Sequence, residues 1–376
     1  MNFESLLPVI YNITWQHLVM IGVGVTLIYL AIAKKYEPTL LLPMGFGAIL
    51  VNIPFSAAKT IDGVEGALDV LYTAGIANEM FPLLIFIAIG AMIDFSPLFK
   101  NPILLLFGAA AQFGIFATIF MATMMGFDLK EAASIGIIGA ADGPTSIFVS
   151  SRFAEHLLGP ISVAAYSYMA LVPIIIPPVV RLLTTKKERC IHMESKSKSV
   201  SKTALIIFPI IVTAIAGIIA PASIPLIGFL MFGNLIRECG VLNSLSKSAQ
   251  NELANLVTIL LGISIASTMT ADRFINLDTL KIIGLGLIAF IFDIFGGVAF
   301  AKLLNLFMPL SKKINPMVGA CGISAFPMAA RVVHGMGQKE DPTNYLLMHA
   351  VSANVGGQIG SVVAGGLILA LVPLFF

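Results

Sequence analysis

The sequence predicts an all-α polytopic membrane protein with about ten transmembrane helices and two re-entrant broken hairpins. Of its 376 residues, 58% are hydrophobic and only 11% are charged, whereas an ordinary soluble domain carries about 25% charged residues. Ten apolar runs approach the length of about 20 residues that a helix needs to cross the hydrocarbon core. Two further apolar stretches, 129–155 and 314–336, are interrupted by Gly and Pro. A chain this apolar must present its outer surface to lipid.

The orientation of these helices follows from the basic residues, which concentrate in cytoplasmic loops. Segment 184–202 carries five lysines and one arginine against two glutamates, so we predict that it is cytoplasmic. By the same rule, the cytoplasmic ends of two helices are marked by Lys34–Lys35 and Lys312–Lys313. The acidic loop around 56–79 is predicted to lie on the outer side of the membrane. The predicted crossings lie at 15–33, 38–54, 78–94, 101–125, 160–183, 203–220, 222–238, 255–270, 280–308 and 343–374.

Whether the number of crossings between two loops is odd or even predicts the two hairpins, because an odd number of crossings puts the loops on opposite sides of the membrane. Helix 160–183 alone separates the outer loop near Asp128 from the cytoplasmic segment 184–202. Stretch 129–155 must therefore enter and leave the membrane on its outer face. The same argument predicts that 314–336 enters from the cytoplasm, and that both termini lie outside.

An internal repeat supports this topology. GAADGPTSIFVSSR at 139–152 resembles GACGISAFPMAAR at 319–331, about 180 residues later, and IAIGAMIDF at 87–95 resembles LGISIASTM at 261–269. The matched helices run in opposite directions, which is typical of the inverted repeats of secondary transporters. We therefore predict a single membrane domain, 1–376, with repeat units 78–183 and 255–376 separated in part by the loop 184–202. Chance similarity between Gly/Ala-rich membrane segments is the alternative.

The composition argues against several other classes of function. A net charge of +2 is not that of a basic nucleic-acid binder, so no nucleic-acid partner is expected. The three cysteines are far apart without a CxxC, and the five histidines show no pairing at metal spacing, so no transition-metal site is expected. The sequence has no GxxxxGK(S/T) phosphate loop and no Met-Lys-Met biotin-attachment triplet.

Asp142 is the strongest candidate functional residue. It lies in Gly139-Ala-Ala-Asp-Gly-Pro-Thr145, at the predicted tip of the first hairpin. A carboxylate at membrane depth costs about 2.5–3.5 kcal/mol even on insertion scales, and is usually functional. The break at Gly143-Pro144 frees backbone carbonyls that suit a hard cation. The alternative is an N-cap at the outer surface for the helix that starts at Pro144.

The second hairpin offers oxygen ligands without a charge. These are Asn315, Ser324 and the carbonyls near Gly319, and we predict that Asn354 in the final helix joins them. The adjacent Gly356 and Gly357 predict an unwound stretch there, since Gly costs about 1 kcal/mol against Ala in a helix. Close helix packing is the alternative explanation for those glycines.

Two tyrosines and one arginine complete the candidates. Tyr166 and Tyr168 lie in the middle of a predicted helix, where a phenol needs a hydrogen-bond partner, and Tyr168 is a candidate proton path. Arg331 either obeys the positive-inside rule or binds an incoming carboxylate in bidentate fashion. Asp94 and Asp293 are further intramembrane carboxylates, each expected near a helix end and wet.

Long segments of the chain resemble a known family. GAADGPTSIFVSSRFAEHLLGPISVAAYSYMALVPIIIPPVVRLLTTKKER and NPMVGACGISAFPMAARVVHGMG, together with YEPTLLLPMGFGAILVN and FPLLIFIAIGAMIDFSPL, resemble the β subunits of the biotin-dependent sodium-pumping decarboxylases. The resemblance implies that the functional aspartate of the family falls on Asp142 and its functional tyrosine on Tyr168. The remaining functional positions that it implies are Asn315, Gly319, Ser324, Arg331 and Asn354.

The resemblance also implies cofactors, partners and a location. It implies a β subunit in the bacterial cytoplasmic membrane that decarboxylates carboxybiotin at the cytoplasmic side, takes up a proton from outside and exports Na⁺. The biotin is carried on another subunit. The implied partners are a biotin carrier subunit, a carboxyltransferase α subunit, a small membrane γ or δ subunit and further copies of β. The short chain favours an acyl-CoA donor, methylmalonyl-CoA or glutaconyl-CoA. A sodium-coupled transporter of an organic anion is the rival prediction.

Overall fold

A computed structural model describes residues 11–193, 200–309 and 312–375. Within these ranges the chain is helical and forms no β-strand. Residues 194–199 of the predicted cytoplasmic loop lie outside the described ranges. The α-helices are, in chain order, α1 (Trp15–Ala33), α2 (Pro38–Val51), α3 (Ala67–Tyr72), α4 (Met80–Met92), α5 (Ser96–Lys100), α6 (Leu105–Ala111), α7 (Phe113–Met124), α8 (Leu129–Gly136), α9 (Gly143–Phe153), α10 (Leu158–Leu183), α11 (Lys186–Arg189), α12 (Lys202–Ile219), α13 (Ile224–Glu238), α14 (Asn243–Ser248), α15 (Ala254–Ile265), α16 (Ala271–Phe274), α17 (Leu277–Phe307), α18 (Met328–Glu340) and α19 (Leu347–Leu371).

The helical membrane class is confirmed, but the predicted number of crossings is too high. Seven helical segments of the described chain are long and apolar enough to cross a membrane, or eight if the bent pair Ala67–Ala77 and Met80–Met92 is one span. The excess comes from α2, α4 and α13, which have 14, 13 and 15 residues. At 1.5 Å per residue these helices are only about 20–23 Å long, less than the ~30 Å hydrocarbon core. The apolar runs in the sequence extend past the ends of the helices they form.

Tertiary contacts hold the short helices in the interior. α4 packs on α13 at Gly90 and Gly233, where a Cβ on either residue would overlap a backbone carbonyl of the other helix. The amide of Asn234 donates to the carbonyl of Ile93 at 3.0 Å, just past the end of α4. The amide of Asn52, at the end of α2, donates to the carbonyl of Met269 at 2.8 Å. Polar side chains thus cap these helices inside the protein.

The same order of elements occurs twice along the chain. A helix with a π-helical turn (Thr73–Ala77 and Ala249–Leu253) leads into α4 and into α15. A short helix, a long helical segment, a broken hairpin and a long helix then follow in each case. This order accords with the predicted repeat, whose inverted relation stays a prediction.

The two hairpins lie at the centre of the bundle. Both pack against α17 and α19, which are 50% buried over their spans, whereas α12 is only 11% buried and faces outward. The apolar outer helices therefore surround a central region where the irregular backbone of the hairpins is covered by protein. A membrane requires this, because backbone groups that are not in a helix cannot be exposed to lipid.

Candidate functional site

The first hairpin breaks immediately before Asp142. The chain runs through α8 and the 3₁₀ turn Ile137–Ala140, reverses at Ala141 and restarts as α9. Ala141 has φ +52°, a left-handed conformation that costs a residue with a Cβ roughly 1–2 kcal/mol. Pro144 occupies the first turn of α9, where its missing N–H is not needed. α8 and α9 pack against each other, so the stretch folds back on itself.

The second hairpin breaks between its 3₁₀ helix Pro316–Cys321 and α18. Its tip touches the first break directly, because the amide of Ser324 donates to the carbonyl of Ala140 at 2.9 Å. The hydroxyl of Ser324 donates to the carbonyl of Gly357 in α19 at 3.0 Å. Both breaks and the middle of α19 therefore form one polar region.

Asp142 is buried among neutral hydrogen-bond donors, with 3% of its surface exposed. Its Oδ2 accepts from the hydroxyls of Thr145 and Ser361 at 2.8 and 2.7 Å and from Nε2 of Gln358 at 3.0 Å. Its Oδ1 has one long bond, at 3.4 Å, from the amide of Thr145. Asp142 therefore caps α9 from the interior of the protein, and its depth in the membrane stays a prediction.

None of the ion pairs among the described residues includes Asp142. A buried carboxylate without a cationic partner is costly, so it requires a proton or a metal cation. Oδ1, which has the weaker hydrogen bonding of the two oxygens, is the atom best placed to receive one.

Asn354 has a buried side-chain oxygen without a hydrogen-bond partner. Its Nδ2 donates to the carbonyl of Ile323 at 2.6 Å, while its buried Oδ1 has no hydrogen-bond partner. Asn354 lies one helical turn before Gln358 on α19, and Ser361 follows on the same face, so the three line one stripe. A buried carbonyl oxygen left unpaired is rare in proteins and calls for a physical explanation. The part of Asn354 in a cation site stays a prediction.

The predicted unwinding around Gly356 and Gly357 is wrong, because α19 is continuous from Leu347 to Leu371. A Cβ on Gly357 would overlap the carbonyls of Gly322 and Ile323, and one on Gly356 would crowd the backbone of Leu105. The glycines instead allow the hairpin and α6 to approach α19 closely, as in other membrane helices.

A cavity of about 340 Å³ reaches the site. Asp142, Ser324, Gln358 and Tyr166 line it, together with Glu37 from the loop before α2. This volume accommodates water and a partly hydrated cation. The cavity therefore joins Asp142 to the half-buried Glu37.

The two tyrosines lie on different sides of α10. The ring of Tyr166 packs on Gly143, where a Cβ would overlap it, and so lies beside Asp142. Tyr168 points to α17 and donates its hydroxyl to the carbonyl of Ile283. Each phenol is buried. Tyr166 is thus the tyrosine next to the carboxylate, and the role of Tyr168 in a proton path stays a prediction.

Arg331 lies on the exposed side of α18, one turn after Met328 at the cavity rim. In the described part of the chain its guanidinium takes part in no hydrogen bond, ion pair or ring contact. It is therefore available to an anion that approaches the cavity.

Asn315 and Gly319 lie earlier in the second hairpin than its tip. The amide of Asn315 donates to the carbonyls of Arg189 and Ile191 at 2.7 and 2.9 Å, and its Oδ1 accepts from the amide of Met317. A Cβ on Gly319 would overlap the carbonyl of Gly297 in α17. The structure thus places both residues where they hold the hairpin, and their part in an ion site stays a prediction.

Asp94 and Asp293 differ in their environments. Asp94 is half-buried past the end of α4 and accepts from the amide of Ser96 at 2.8 Å. The expectation that Asp293 lies near a wet helix end is wrong, because it is 0% exposed in the middle of α17. Its Oδ1 accepts from the amide of Ile115 at 3.1 Å, in the first turn of α7. Asp293 thus caps α7 from another helix through Oδ1, while its buried Oδ2 has no hydrogen-bond partner.

Three residues that bond Asp142 were not predicted as site residues: Thr145, Gln358 and Ser361. Gln358 and Ser361 follow Asn354 at spacings of four and seven, which puts all three on one helical face. A polar stripe at helical spacing in an apolar final helix is the signal that identifies them. Thr145 follows Asp142 by three residues, as in an N-cap.

Comparisons with known proteins agree over nearly the whole chain. Residues 16–372 match the family described as the Na⁺-transporting oxaloacetate decarboxylase beta subunit. The chain is 50% identical to the methylmalonyl-CoA decarboxylase subunit beta of Propionigenium modestum, over 96% of each protein. It is 50% identical to the glutaconyl-CoA decarboxylase subunit beta of Acidaminococcus fermentans, over 96% of this chain and 94% of that one. It is 44% identical to the oxaloacetate decarboxylase beta chain of Klebsiella pneumoniae, over 97% of this chain and 98% of that one.

Proposed function

Because this chain belongs to the Na⁺-transporting oxaloacetate decarboxylase β-subunit family, we propose that Asp142 binds the Na⁺ that the decarboxylation exports. The protein is the multi-pass membrane subunit of a sodium-pumping decarboxylase of the bacterial cytoplasmic membrane. The observation that carries the proposal is the buried carboxylate of Asp142, which has only neutral hydrogen-bond partners.

The ligands proposed for Na⁺ are oxygens around the two hairpin breaks. Asp142 supplies the negative charge, and Oδ1 of Asn354 supplies a neutral oxygen. The hydroxyls of Thr145 and Ser361 donate to Asp142 and keep lone pairs that can accept a cation. Hard cations prefer such oxygen ligands. Ser324 lines the same cavity and holds the two breaks together.

Proton uptake then couples to Na⁺ release by competition. Protonation of Asp142 removes the charge that holds Na⁺, so one carboxylate cannot retain both ions. Tyr166 packs beside Asp142, and Tyr168 is buried two residues further along α10. We propose that a proton from outside reaches Asp142 by way of Tyr168 and displaces Na⁺ outward.

Carboxybiotin, carried on another subunit, is the proposed substrate at the cytoplasmic side. Its decarboxylation breaks the N–CO₂ bond, releases CO₂ and leaves a ureido nitrogen that takes up a proton. Arg331 is exposed on α18, three residues after Met328, which lines the cavity, and its planar guanidinium fits a carboxylate in bidentate fashion. We assign to it the steering of the substrate carboxylate, in preference to a purely topological role.

An acyl-CoA is the proposed carboxyl donor of the complex. The relatives named for methylmalonyl-CoA and glutaconyl-CoA are 50–51% identical to this chain, whereas those named for oxaloacetate are 42–44% identical. We propose that the partners are a carboxyltransferase α subunit, a biotin carrier, a small γ or δ subunit and further β copies.

The test uses the native complex in inverted membrane vesicles. Methylmalonyl-CoA or glutaconyl-CoA should drive uptake of radiolabelled Na⁺ together with CO₂ release, and avidin, which sequesters biotin, should abolish both. A sodium-coupled anion transporter would take up Na⁺ with its anion regardless of avidin. Uptake insensitive to avidin would refute the biotin-dependent mechanism.

A further inference from the structure

Glu37 shares the cavity of Asp142 but has no role in the site described above. It immediately precedes α2 and has φ +35°, a left-handed conformation for a residue with a Cβ. Such backbone strain of about 1–3 kcal/mol persists where the surroundings impose it, often at functional sites. Its side chain does not cap α2, although the N-cap position offers free amides.

The carboxylate of Glu37 is half-buried and without a partner. Across the described residues, no hydrogen bond or ion pair involves its side chain. A carboxylate that is partly removed from water loses hydration without recovering it from the protein. A proton or a mobile cation compensates for this loss.

The rest of the cavity connects Glu37 with Asp142. Thr39, Asn255 and Thr258 line it alongside Glu37, and they add oxygen atoms from α2 and α15. Tyr166 lines the same cavity as both carboxylates. The predicted orientation places Glu37 on the cytoplasmic side, two residues after Lys34–Lys35.

We propose that Glu37 forms a capture site for Na⁺ at the cytoplasmic mouth of this cavity, from which the ion passes through the cavity to Asp142. The inference rests on the proposed binding of Na⁺ at Asp142. A cavity with low-dielectric walls and one sign of charge focuses the field and raises the local concentration of counter-ions. Glu37 thereby raises the occupancy of the inner site at a given cytoplasmic Na⁺ concentration.

The test compares Glu37→Gln with wild type in the intact decarboxylase complex, and the probe is Na⁺ itself. The half-saturating Na⁺ concentration for decarboxylation should rise by about 10-fold or more, at the lower end of the range of electrostatic focusing. The maximal rate of decarboxylation should fall by a smaller factor than the half-saturating Na⁺ concentration rises. Glu37→Asp, which keeps the charge, should recover most of the loss, and added choline chloride should shrink the difference through screening.

Glu252→Gln is the matched control, because Glu252 is an exposed carboxylate near the start of α15 and does not line the cavity. It should leave the Na⁺ dependence unchanged. Asn255→Asp adds a carboxylate to the cavity and should lower the half-saturating Na⁺ concentration, which provides a readout that does not depend on the folding of the Glu37 variants.

The outcomes separate this inference from the proposed function. If Asp142→Asn abolishes Na⁺ transport while Glu37→Gln keeps the wild-type Na⁺ dependence, the capture site is refuted and the inner site stands. If Asp142→Asn still transports Na⁺, the inner site itself is refuted. Equal effects of Glu37→Gln and Glu252→Gln would indicate general surface charge and would also refute the capture site.

Discussion

Ser324 and Ala140 join the breaks of the two hairpins, because the backbone amide of Ser324 donates to the carbonyl of Ala140 at 2.9 Å. The hydroxyl of Ser324 bonds Gly357 in α19, and the adjacent Gln358 bonds Asp142. A displacement of either hairpin would therefore change the hydrogen bonds to Asp142. This arrangement suits a site whose ion affinity must change during a transport cycle.

Replacing Asp142 with Asn removes the charge and keeps the size. We expect Na⁺ uptake and Na⁺-stimulated CO₂ release to fall together by at least about 100-fold, since losing the charged partner of a buried ion costs about 3–5 kcal/mol. Helix α9 should remain capped, because Asn caps about as well as Asp. Both activities are measured in parallel on the reconstituted complex. Pumping near the wild-type rate would make Asp142 a structural residue.

Replacing Ser361 with Ala removes one of the three close hydrogen bonds to Asp142. Donors to the ionised carboxylate favour it over the protonated form, so the proton should compete better against Na⁺. We expect the half-saturating Na⁺ concentration to rise by about 10-fold, in line with 1.5–3 kcal/mol for a hydrogen bond to a charge, and more so at low pH.

Ser352→Ala is the control for this variant, since Ser352 lies on the same helix and donates to the carbonyl of Pro97. Its Na⁺ dependence should match that of wild type. Equal responses of the two serine variants would contradict a specific role for Ser361.

Replacing Arg331 with Lys keeps the positive charge and removes the planar guanidinium, which can donate two parallel hydrogen bonds to one carboxylate. If Arg331 binds the substrate carboxylate, turnover should fall by about 10-fold or more, because an ammonium cannot reproduce bidentate geometry. Lys339→Gln, at an exposed position on the same helix, should have little effect. Near-normal decarboxylation by Arg331→Lys would leave only the positive-inside explanation.

Asp293 should tolerate Asn but not Leu. The carbonyl of Asn can still accept from the amide of Ile115, whereas Leu leaves that buried amide unpaired, at a cost of about 1–3 kcal/mol. We expect Asp293→Asn to transport Na⁺ like wild type and Asp293→Leu to unfold at lower temperature in detergent. Loss of transport in a stably folded Asp293→Asn would make this carboxylate a second ion or proton site.

The predicted topology can be read from thiol labelling in a Cys239→Ser background. Cys190 should react with an impermeant reagent only from the cytoplasm, and a cysteine introduced by Asp62→Cys only from outside; Cys321 is fully buried. Labelling of both positions from one side would overturn the parity argument for the hairpins.

Much of this protein follows from the sequence alone, because insertion into lipid depends on local composition. Long apolar segments predict helices, and Gly-Pro pairs within them predict breaks, since both effects act over one or two helical turns. Asp142 stands out for the same local reason, as a carboxylate inside an apolar segment. The resemblance to the family rests likewise on contiguous residues.

Tertiary structure decided what surrounds those residues. Asp142 and Gln358 are 216 positions apart in sequence, and only the packing of the first hairpin on α19 brings them together. The depth of Asp293, the continuity of α19 at Gly357 and the shortness of α13 likewise depend on which helix lies alongside. Hydropathy measures the preference of a segment for lipid over water, and it carries no information about which buried polar groups find each other, because that depends on contacts between distant parts of the chain.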